Sequence, residues 1–69
     1  GTIISSFLIE QYNHEDIVSM NKDYNWIDAI DVYAIAWRNR KGNVRHGIMV
    51  TIYHETDIGY EWTSGIVSI

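Results

Sequence analysis

The chain has 69 residues, a formal net charge of −4 and no cysteine. A chain this short forms one domain, residues 1–69, with a thin core, and it has no disulfide or thiolate chemistry. No apolar run approaches the roughly 20 residues that span a bilayer, so we expect no membrane partner. The lack of cysteine is typical of cytoplasmic proteins, and we expect the cytoplasm here, although many secreted proteins also lack cysteine.

The aliphatic residues favour strands. Isoleucine dominates them, and Leu8 is the only leucine in the chain. Branching at Cβ suits a pleated sheet, whereas a mainly helical chain would use leucine and alanine. The composition therefore predicts a protein built mostly from β-strands.

Residues 3–10 fit two patterns. Ile3, Phe7 and Ile9 would share one face of a strand, whereas Ile3, Ile4, Phe7 and Leu8 would share one side of a helix. The isoleucine content favours the strand, with the helix as the alternative.

A helix is predicted at residues 14–22. Asn13 is a good residue to cap its first turn. Glu15 and Asp16 would fall within that turn, where the positive end of the helix dipole favours carboxylates. The pattern thus predicts one short helix between the first strand and the rest of the chain.

The sequence of residues 29–69 predicts a three-stranded antiparallel meander. In residues 39–42 an asparagine opens a type I turn, and Gly42 takes the left-handed position that follows, which makes a three-residue loop with a bulge. This loop pairs Arg38 with Val44. The same register pairs Trp37 with Arg45, Tyr33 with Met49, and Val32 with Val50.

Residues 56–59 repeat this arrangement with a second glycine. The matching register pairs His54 with Trp62, but it also places Glu55 opposite Glu61. Two like charges opposite each other destabilise a strand pair. A loop shorter by one residue would pair Tyr53 with Trp62 and His54 with Glu61. Both registers stay open.

Alternation along the strands sorts the side chains onto two faces. The aliphatic face has the character of a core beneath a helix, because its alanines allow close approach. It consists of Ile30, Val32, Ala34, Ala36, Ile48, Val50 and Ile52, which Trp62 and Ile66 would join in the first register. The aromatic face consists of Tyr33, Ile35, Trp37, Met49, Thr51 and Tyr53, which Thr63, Gly65 and Val67 would join in the first register, and it is too apolar for an ordinary solvated surface.

The elements combine into a β-α-β-β-β order. This order predicts a small single-domain α+β fold, with a C-terminal three-stranded antiparallel meander and one helix packed on it. The alternative is a small five-stranded β-barrel in which residues 14–22 are not helical.

The aromatic face is the predicted protein-binding surface. Its residue types are enriched in interface cores, and Arg45 beside Trp37 adds an anchor. The predicted partner-binding residues are Tyr33, Ile35, Trp37, Met49, Tyr53 and Arg45. The alternative is that the N-terminal segment covers this face within the same chain.

Four of the five basic residues form a basic tip around the first turn, and Lys22 alone remains against nine acidic residues. The basic tip consists of Arg38, Arg40, Lys41 and Arg45. Next to Trp37 it is an alternative nucleic-acid-binding site, with cations for phosphates and a ring for a base. The simpler interpretation is a solubilised turn, because the acidic remainder of the chain repels nucleic acid.

No catalytic or metal-binding pattern is present, so we expect neither an enzyme nor a cofactor. There is no Gly-x-Ser-x-Gly elbow and no phosphate-binding glycine loop. His46 and His54 would lie about 27 Å apart on one strand, too far to share a metal ion.

The leading hypothesis is therefore a small soluble protein-binding module or inhibitor that occupies a surface of a larger partner or of its own copy. Short, acidic, cysteine-free chains rich in isoleucine, asparagine and tyrosine are also typical of inhibitors encoded by phages and mobile elements. Binding of nucleic acid by the basic tip is the second hypothesis.

Overall fold

The computed structural model describes residues 1–56 and 58–68 of the chain. The elements follow one another as β1 (Thr2–Asn13), α1 (His14–Met20), a single 3-10 turn (Lys22–Tyr24), β2 (Ala29–Arg38), β3 (Val44–Thr56) and β4 (Gly59–Ser68). The predicted β-α-β-β-β order and the small α+β domain are confirmed.

The strands form one antiparallel sheet of four strands in the order β1-β2-β3-β4. Strands β1 and β4 are the two edges of this sheet, so it is open, and the alternative of a closed five-stranded barrel is wrong. A barrel would also have required residues 14–22 not to be helical, whereas α1 occupies most of that range. The prediction of a strand at residues 3–10 is confirmed within β1.

Two bulges interrupt the pairing of β1 with β2. Ile4 and Ile9 are extra residues that have no partner on β2. Each extra residue reverses the alternation of the side chains that follow. Ile3 and Leu8 therefore lie on the aromatic face, whereas Phe7 lies on the aliphatic face. Regular alternation placed Ile3 and Phe7 together, and that prediction is wrong.

Helix α1 starts where the sequence predicts and ends at Met20, two residues early. The Asn13 side chain accepts a hydrogen bond from the Asp16 N–H at 2.9 Å, and the Asp16 carboxylate accepts one from the Asn13 N–H at 3.3 Å. This reciprocal capping box satisfies two donors that a helix start otherwise leaves unpaired. In residues 1–56 and 58–68, no helix has the length and apolar character needed to cross a membrane.

The β2–β3 turn has the predicted form. Arg38 pairs with Val44, and the Gly42 N–H donates to the Asn39 carbonyl at 3.0 Å. Gly42 has a φ of +85°, the left-handed conformation that glycine adopts without steric cost. The predicted pairs along β2 and β3 are all confirmed.

The β3–β4 turn uses the shorter of the two predicted loops. Tyr53 pairs with Trp62, so the register that paired His54 with Trp62 is wrong. In the shorter loop Glu55 and Glu61 no longer lie directly opposite each other, which relieves the repulsion between their like charges. Asp57, which belongs to the predicted turn at residues 56–59, lies outside the described residues.

This register exchanges the two faces of β4. Trp62 and Ile66 lie on the aromatic face, opposite Tyr53 and Met49, and not on the aliphatic face. Thr63, Gly65 and Val67 take their place there.

The core is small. Among the described residues the buried apolar side chains are Ile17, Ile27 and Ile35. Every residue that defines the aliphatic face is half-buried. Helix α1 adds little cover to this face, because its main contacts are with β1 and the 3-10 turn. Ile35, the buried apolar residue of the sheet, lies on the aromatic face.

The molecule is elongated. Its principal dimensions are 41 × 26 × 17 Å, and its radius of gyration is 14.1 Å. A compact domain of this length would have a radius of gyration of about 11 Å. The sheet is thus a single layer, whereas stable domains usually pack at least two.

Candidate functional site

The aromatic face brings the predicted partner-binding residues together. Strand β2 places Tyr33 opposite Met49 and Trp37 opposite Arg45. Ile35 lies between these pairs, and Tyr53 continues the face along β3. All six residues named from the sequence therefore occupy one side of the two central strands.

Both edge strands extend this face beyond the predicted residues. Ile3 and Leu8 join it from β1, and Trp62 and Ile66 join it from β4. All four are exposed, and Trp62 exposes 67% of its surface. Many exposed aromatic and apolar residues on an open sheet indicate a binding surface. The sequence did not predict Ile3 and Leu8 on this face, and it placed Trp62 and Ile66 here only in the shorter of the two open registers, because these positions depend on the two bulges and on the length of the second loop.

The N-terminal segment does not cover the aromatic face. Strand β1 lies beside β2 in the plane of the sheet, so it leaves Trp37 and Tyr53 partly exposed. Gly1 lies against the Trp37 ring, where an added Cβ would come within 3.2 Å of a ring carbon. The Trp37 Nε1 is buried and has no hydrogen-bond partner among the described residues.

Two hollows mark the aromatic face. One, of about 340 Å³, lies near the basic tip and is lined by Gly1, Ile3, Trp37, Ile66 and Ser68. The other, of about 530 Å³, is lined by Ser6, Tyr33, Met49, Thr51, Tyr53, Trp62 and Ser64. Both are shallow and open to solvent, so they suit protruding side chains of a partner better than an enclosed small molecule.

A buried carboxylate lies on the same face. Asp31 is 8% exposed, and its Oδ1 accepts a hydrogen bond from the Gln11 Nε2 at 2.9 Å. The Tyr33 hydroxyl donates to its Oδ2 at 3.5 Å. We call Asp31, Gln11, Tyr33 and Tyr53 the Asp31 site. The sequence did not predict it, although alternation along β2 already places Asp31 on this face.

The Asp31 site affects the ionisation of Tyr53. Desolvation of the half-buried ring raises the pKa of the Tyr53 hydroxyl, and the hydrogen-bond and charge interactions with Asp31 raise it further. At alkaline pH, negative charge on an ionised Tyr33 would act in the same direction on the pKa of Tyr53. Raising the pKa favours the neutral form of Tyr53 beside the Asp31 carboxylate.

The basic tip does not present one uniform surface. Arg38, Arg40, Lys41 and Arg45 are all exposed, as the nucleic-acid alternative requires. Arg38 nevertheless lies on the aliphatic face with Val44, and its Nη1 donates to the Gly42 carbonyl at 3.3 Å. Arg45 lies on the aromatic face opposite Trp37. Arg38 and Arg45 therefore lie on opposite sides of the sheet, and Arg40 and Lys41 lie in the turn between the strands.

Charge is polarised along the strands. The basic tip occupies the end with the β2–β3 turn. Every acidic residue that the structure describes lies in the other half, around α1, the start of β2 and the β3–β4 turn: Glu10, Glu15, Asp16, Asp23, Asp28, Asp31, Glu55 and Glu61. The molecule is therefore a long electric dipole.

The histidines make separate contacts. His14 Nδ1 lies 3.0 Å from the Ile27 carbonyl, and the His54 ring meets the edge of the Trp26 ring at a centroid distance of 5.9 Å. His46 and His54 lie on β3, eight residues apart, as predicted. Among residues 1–56 and 58–68, histidine and carboxylate side chains form no group of three or more that could hold a metal ion.

Comparison with known proteins does not supply a function. No protein-family model, curated protein or solved structure matches the chain. The function is therefore inferred from the shape, surface chemistry and charge of this chain.

Proposed function

We propose that this protein is a binding protein, not an enzyme, whose aromatic face occupies a surface of a larger partner or of a second copy. Binding through this face would block the covered surface of the partner, as an inhibitor does, or join two protein surfaces, as an assembly factor does.

The observation that carries this proposal is the accessible surface. The chain exposes 5358 Å². A compact monomer of 8.0 kDa would expose about 4,450 Å². The excess, roughly 900 Å², is close to the area of about 800 Å² that each partner buries in a standard protein interface.

The chemistry of the aromatic face supports the same proposal. Tyrosine, tryptophan, methionine and arginine are enriched in interface cores, and all four residue types are present there. Trp62 and the half-buried rings of Trp37 and Tyr53 supply large apolar area with few rotatable bonds. The two hollows would receive side chains from the other surface.

Affinity capture with face-specific variants tests the proposal. The bait chains are the wild type, the double variant Trp37→Ala/Tyr53→Ala, and Phe7→Ala as the matched control. Phe7 is 71% exposed and lies on the aliphatic face, so its loss removes an exposed ring from the wrong side of the sheet. Circular dichroism establishes that each bait is folded.

The expected result is a partner, or a second copy of the chain detected by light scattering, that the wild type and Phe7→Ala retain and the double variant loses. A chain that is monomeric at every concentration and retains nothing through this face would overturn the proposal. Equal retention of the partner by all three baits would also overturn the proposal.

Nucleic-acid binding through the basic tip is the second candidate function. The specific observation in its favour is that all four cations of the tip are exposed. It predicts that the affinity for single-stranded RNA falls steeply with salt, and that Arg40→Ala/Lys41→Ala makes this dependence less steep. The absence of binding at low salt would exclude it.

A further inference from the structure

We propose that the aromatic face is covered by a second copy of the chain, packed face to face with its strands antiparallel, so that Arg45 of each copy reaches the Asp31 site of the other. This inference rests on the proposed function and names its partner. It would turn a one-layer sheet into an eight-stranded sandwich of two layers, a stable architecture for sheets.

The first step is the chemistry of the Asp31 site. The side chains that hydrogen-bond to Asp31, Gln11 and Tyr33, are both uncharged. A carboxylate this buried is costly unless a cation compensates it. The tyrosines beside it offer ring faces and a hydroxyl, which together with a carboxylate suit a guanidinium group. The site therefore has the character of a receptor for an arginine.

The second step is the position of Arg45. It is exposed on the aromatic face opposite Trp37, which lies six residues beyond Asp31 along β2. Six residues of a strand span about 20 Å, so Arg45 does not reach Asp31 of its own chain. The face thus carries a cation at one end and a site for a cation at the other.

The third step is orientation. In a symmetric two-fold dimer, every contact occurs twice, with the roles of the copies exchanged. Antiparallel stacking places the basic tip of each copy over the acidic half of the other. Parallel stacking would oppose the two basic tips and the two acidic halves. The dipole of the chain therefore selects the antiparallel arrangement.

The fourth step is area. The excess of roughly 900 Å² per chain corresponds to a dimer that buries roughly 1,800 Å² in total, within the range of stable specific interfaces. A second copy has the same principal dimensions, 41 × 26 × 17 Å, so its aromatic face matches this one in extent. The partner also supplies a cation to Asp31, whose hydrogen-bond partners among the described residues are both uncharged.

Charge reversal tests the pairing. Arg45→Glu and the matched control Arg40→Glu change the net charge equally, but Arg40 lies in the turn and not on the face. Sedimentation across a concentration series is expected to show a dimer for the wild type. Arg45→Glu should raise the dimer dissociation constant at least about 30-fold, and Arg40→Glu by only a few fold. Equal effects of the two variants would overturn the pairing.

Complementation provides the sharper result. Arg45→Glu and Asp31→Arg should each fail to dimerise alone, whereas an equal mixture should form a heterodimer, because both charge pairs are then restored. If circular dichroism shows that Asp31→Arg is unfolded, the isosteric Asp31→Asn replaces it and should weaken the dimer to a similar extent as Arg45→Glu. A folded Asp31→Asn that dimerises like the wild type would overturn the inference.

Cysteine cross-linking identifies the covered face, because the chain has no cysteine of its own. Met49→Cys and Val50→Cys are neighbours on β3, both half-buried, and they lie on opposite faces. Cross-linking through Met49→Cys and not through Val50→Cys is expected. Cross-linking through Val50→Cys would overturn the inference in favour of the aliphatic face.

A chain that remains monomeric at every concentration would also overturn the inference. The proposed function would still stand if a different protein were then retained by the wild type and by Phe7→Ala but lost by Trp37→Ala/Tyr53→Ala. The two failures are therefore distinguishable.

Discussion

Tyr53 lies directly opposite Trp62 across the β3–β4 pair, so two aromatic side chains from neighbouring strands share the aromatic face. The same register places Thr51 opposite Ser64, with their hydroxyl oxygens 2.9 Å apart. Edge strand β4 is thereby tied to β3 through the backbone ladder and a hydroxyl pair, and it places a tryptophan across from Tyr53. Its Trp62 and Ile66 belong to the same surface as the predicted binding residues of β2 and β3.

A double-mutant cycle tests this register. Tyr53→Ala, Trp62→Ala and the combined variant are expected to show a coupling free energy of about 0.2–1 kcal/mol in urea denaturation, the range for cross-strand side-chain pairs. The matched cycle of His54→Ala with Trp62→Ala should give a coupling near zero. A larger coupling for His54 would instead support the longer loop.

Asn13→Ala is expected to lower the free energy of unfolding by about 1 kcal/mol, because it removes the side-chain oxygen that accepts the Asp16 N–H. Chemical denaturation measures this loss. The control is Ser19→Ala, an exposed substitution within the same helix that removes no cap. Equal stability of the two variants would contradict the capping role.

Gly47→Ala is expected to destabilise the sheet by about 1–3 kcal/mol. An added Cβ at Gly47 would lie 2.6 Å from the Val67 carbonyl oxygen, so β3 and β4 would have to move apart. The control is Gly65→Ala, where an added Cβ meets no heavy atom within 4 Å. Thermal melts of both variants should show a lower midpoint for Gly47→Ala alone, and matching midpoints would contradict the close approach.

Stability should fall at alkaline pH in a way that depends on Tyr53. Its folded-state pKa is raised by desolvation and by Asp31, so the folded chain holds the phenolic proton more tightly than the unfolded chain. This contribution is complete below the ordinary tyrosine pKa of about 10, and it is lost as the pH rises through the folded-state pKa.

Urea denaturation between pH 8 and 11 measures this effect. Tyr53→Phe should lose stability less steeply than the wild type over that range. Tyr60→Phe, which removes a hydroxyl from a residue that is 75% exposed, should follow the wild type. Parallel curves for all three chains would contradict the role of Tyr53.

The parts of the fold that could be predicted are those fixed by local chemistry. Asn39 and Gly42 specify the first turn, because one opens it and the other tolerates a positive φ, and that turn sets the register of β2 and β3. Asn13 and Asp16 specify the helix start in the same way. Each of these signals lies within four residues of the feature that it determines.

The parts that could not be predicted depend on contacts between distant residues. The bulges at Ile4 and Ile9 shift the faces of β1, and they leave no signature in an apolar segment. Asp31 becomes a site only because Gln11 lies opposite it, and that pairing follows from both bulges. The residues of the second turn are also compatible with two registers of β4. The choice between these registers depends on the pairing of side chains between β3 and β4.

The bulges at Ile4 and Ile9 also make the two edges of the sheet unequal. Edge β1 has an interrupted, bent row of backbone groups, whereas β4 pairs with β3 without a register shift along Gly47–Thr56. A growing fibril needs two edges that both accept a new strand, because each added chain must offer its far side to the next. Here only the β4 side is regular, so addition in the plane of the sheet stops after one step. An open, apolar sheet is thereby protected from polymerisation into ribbons.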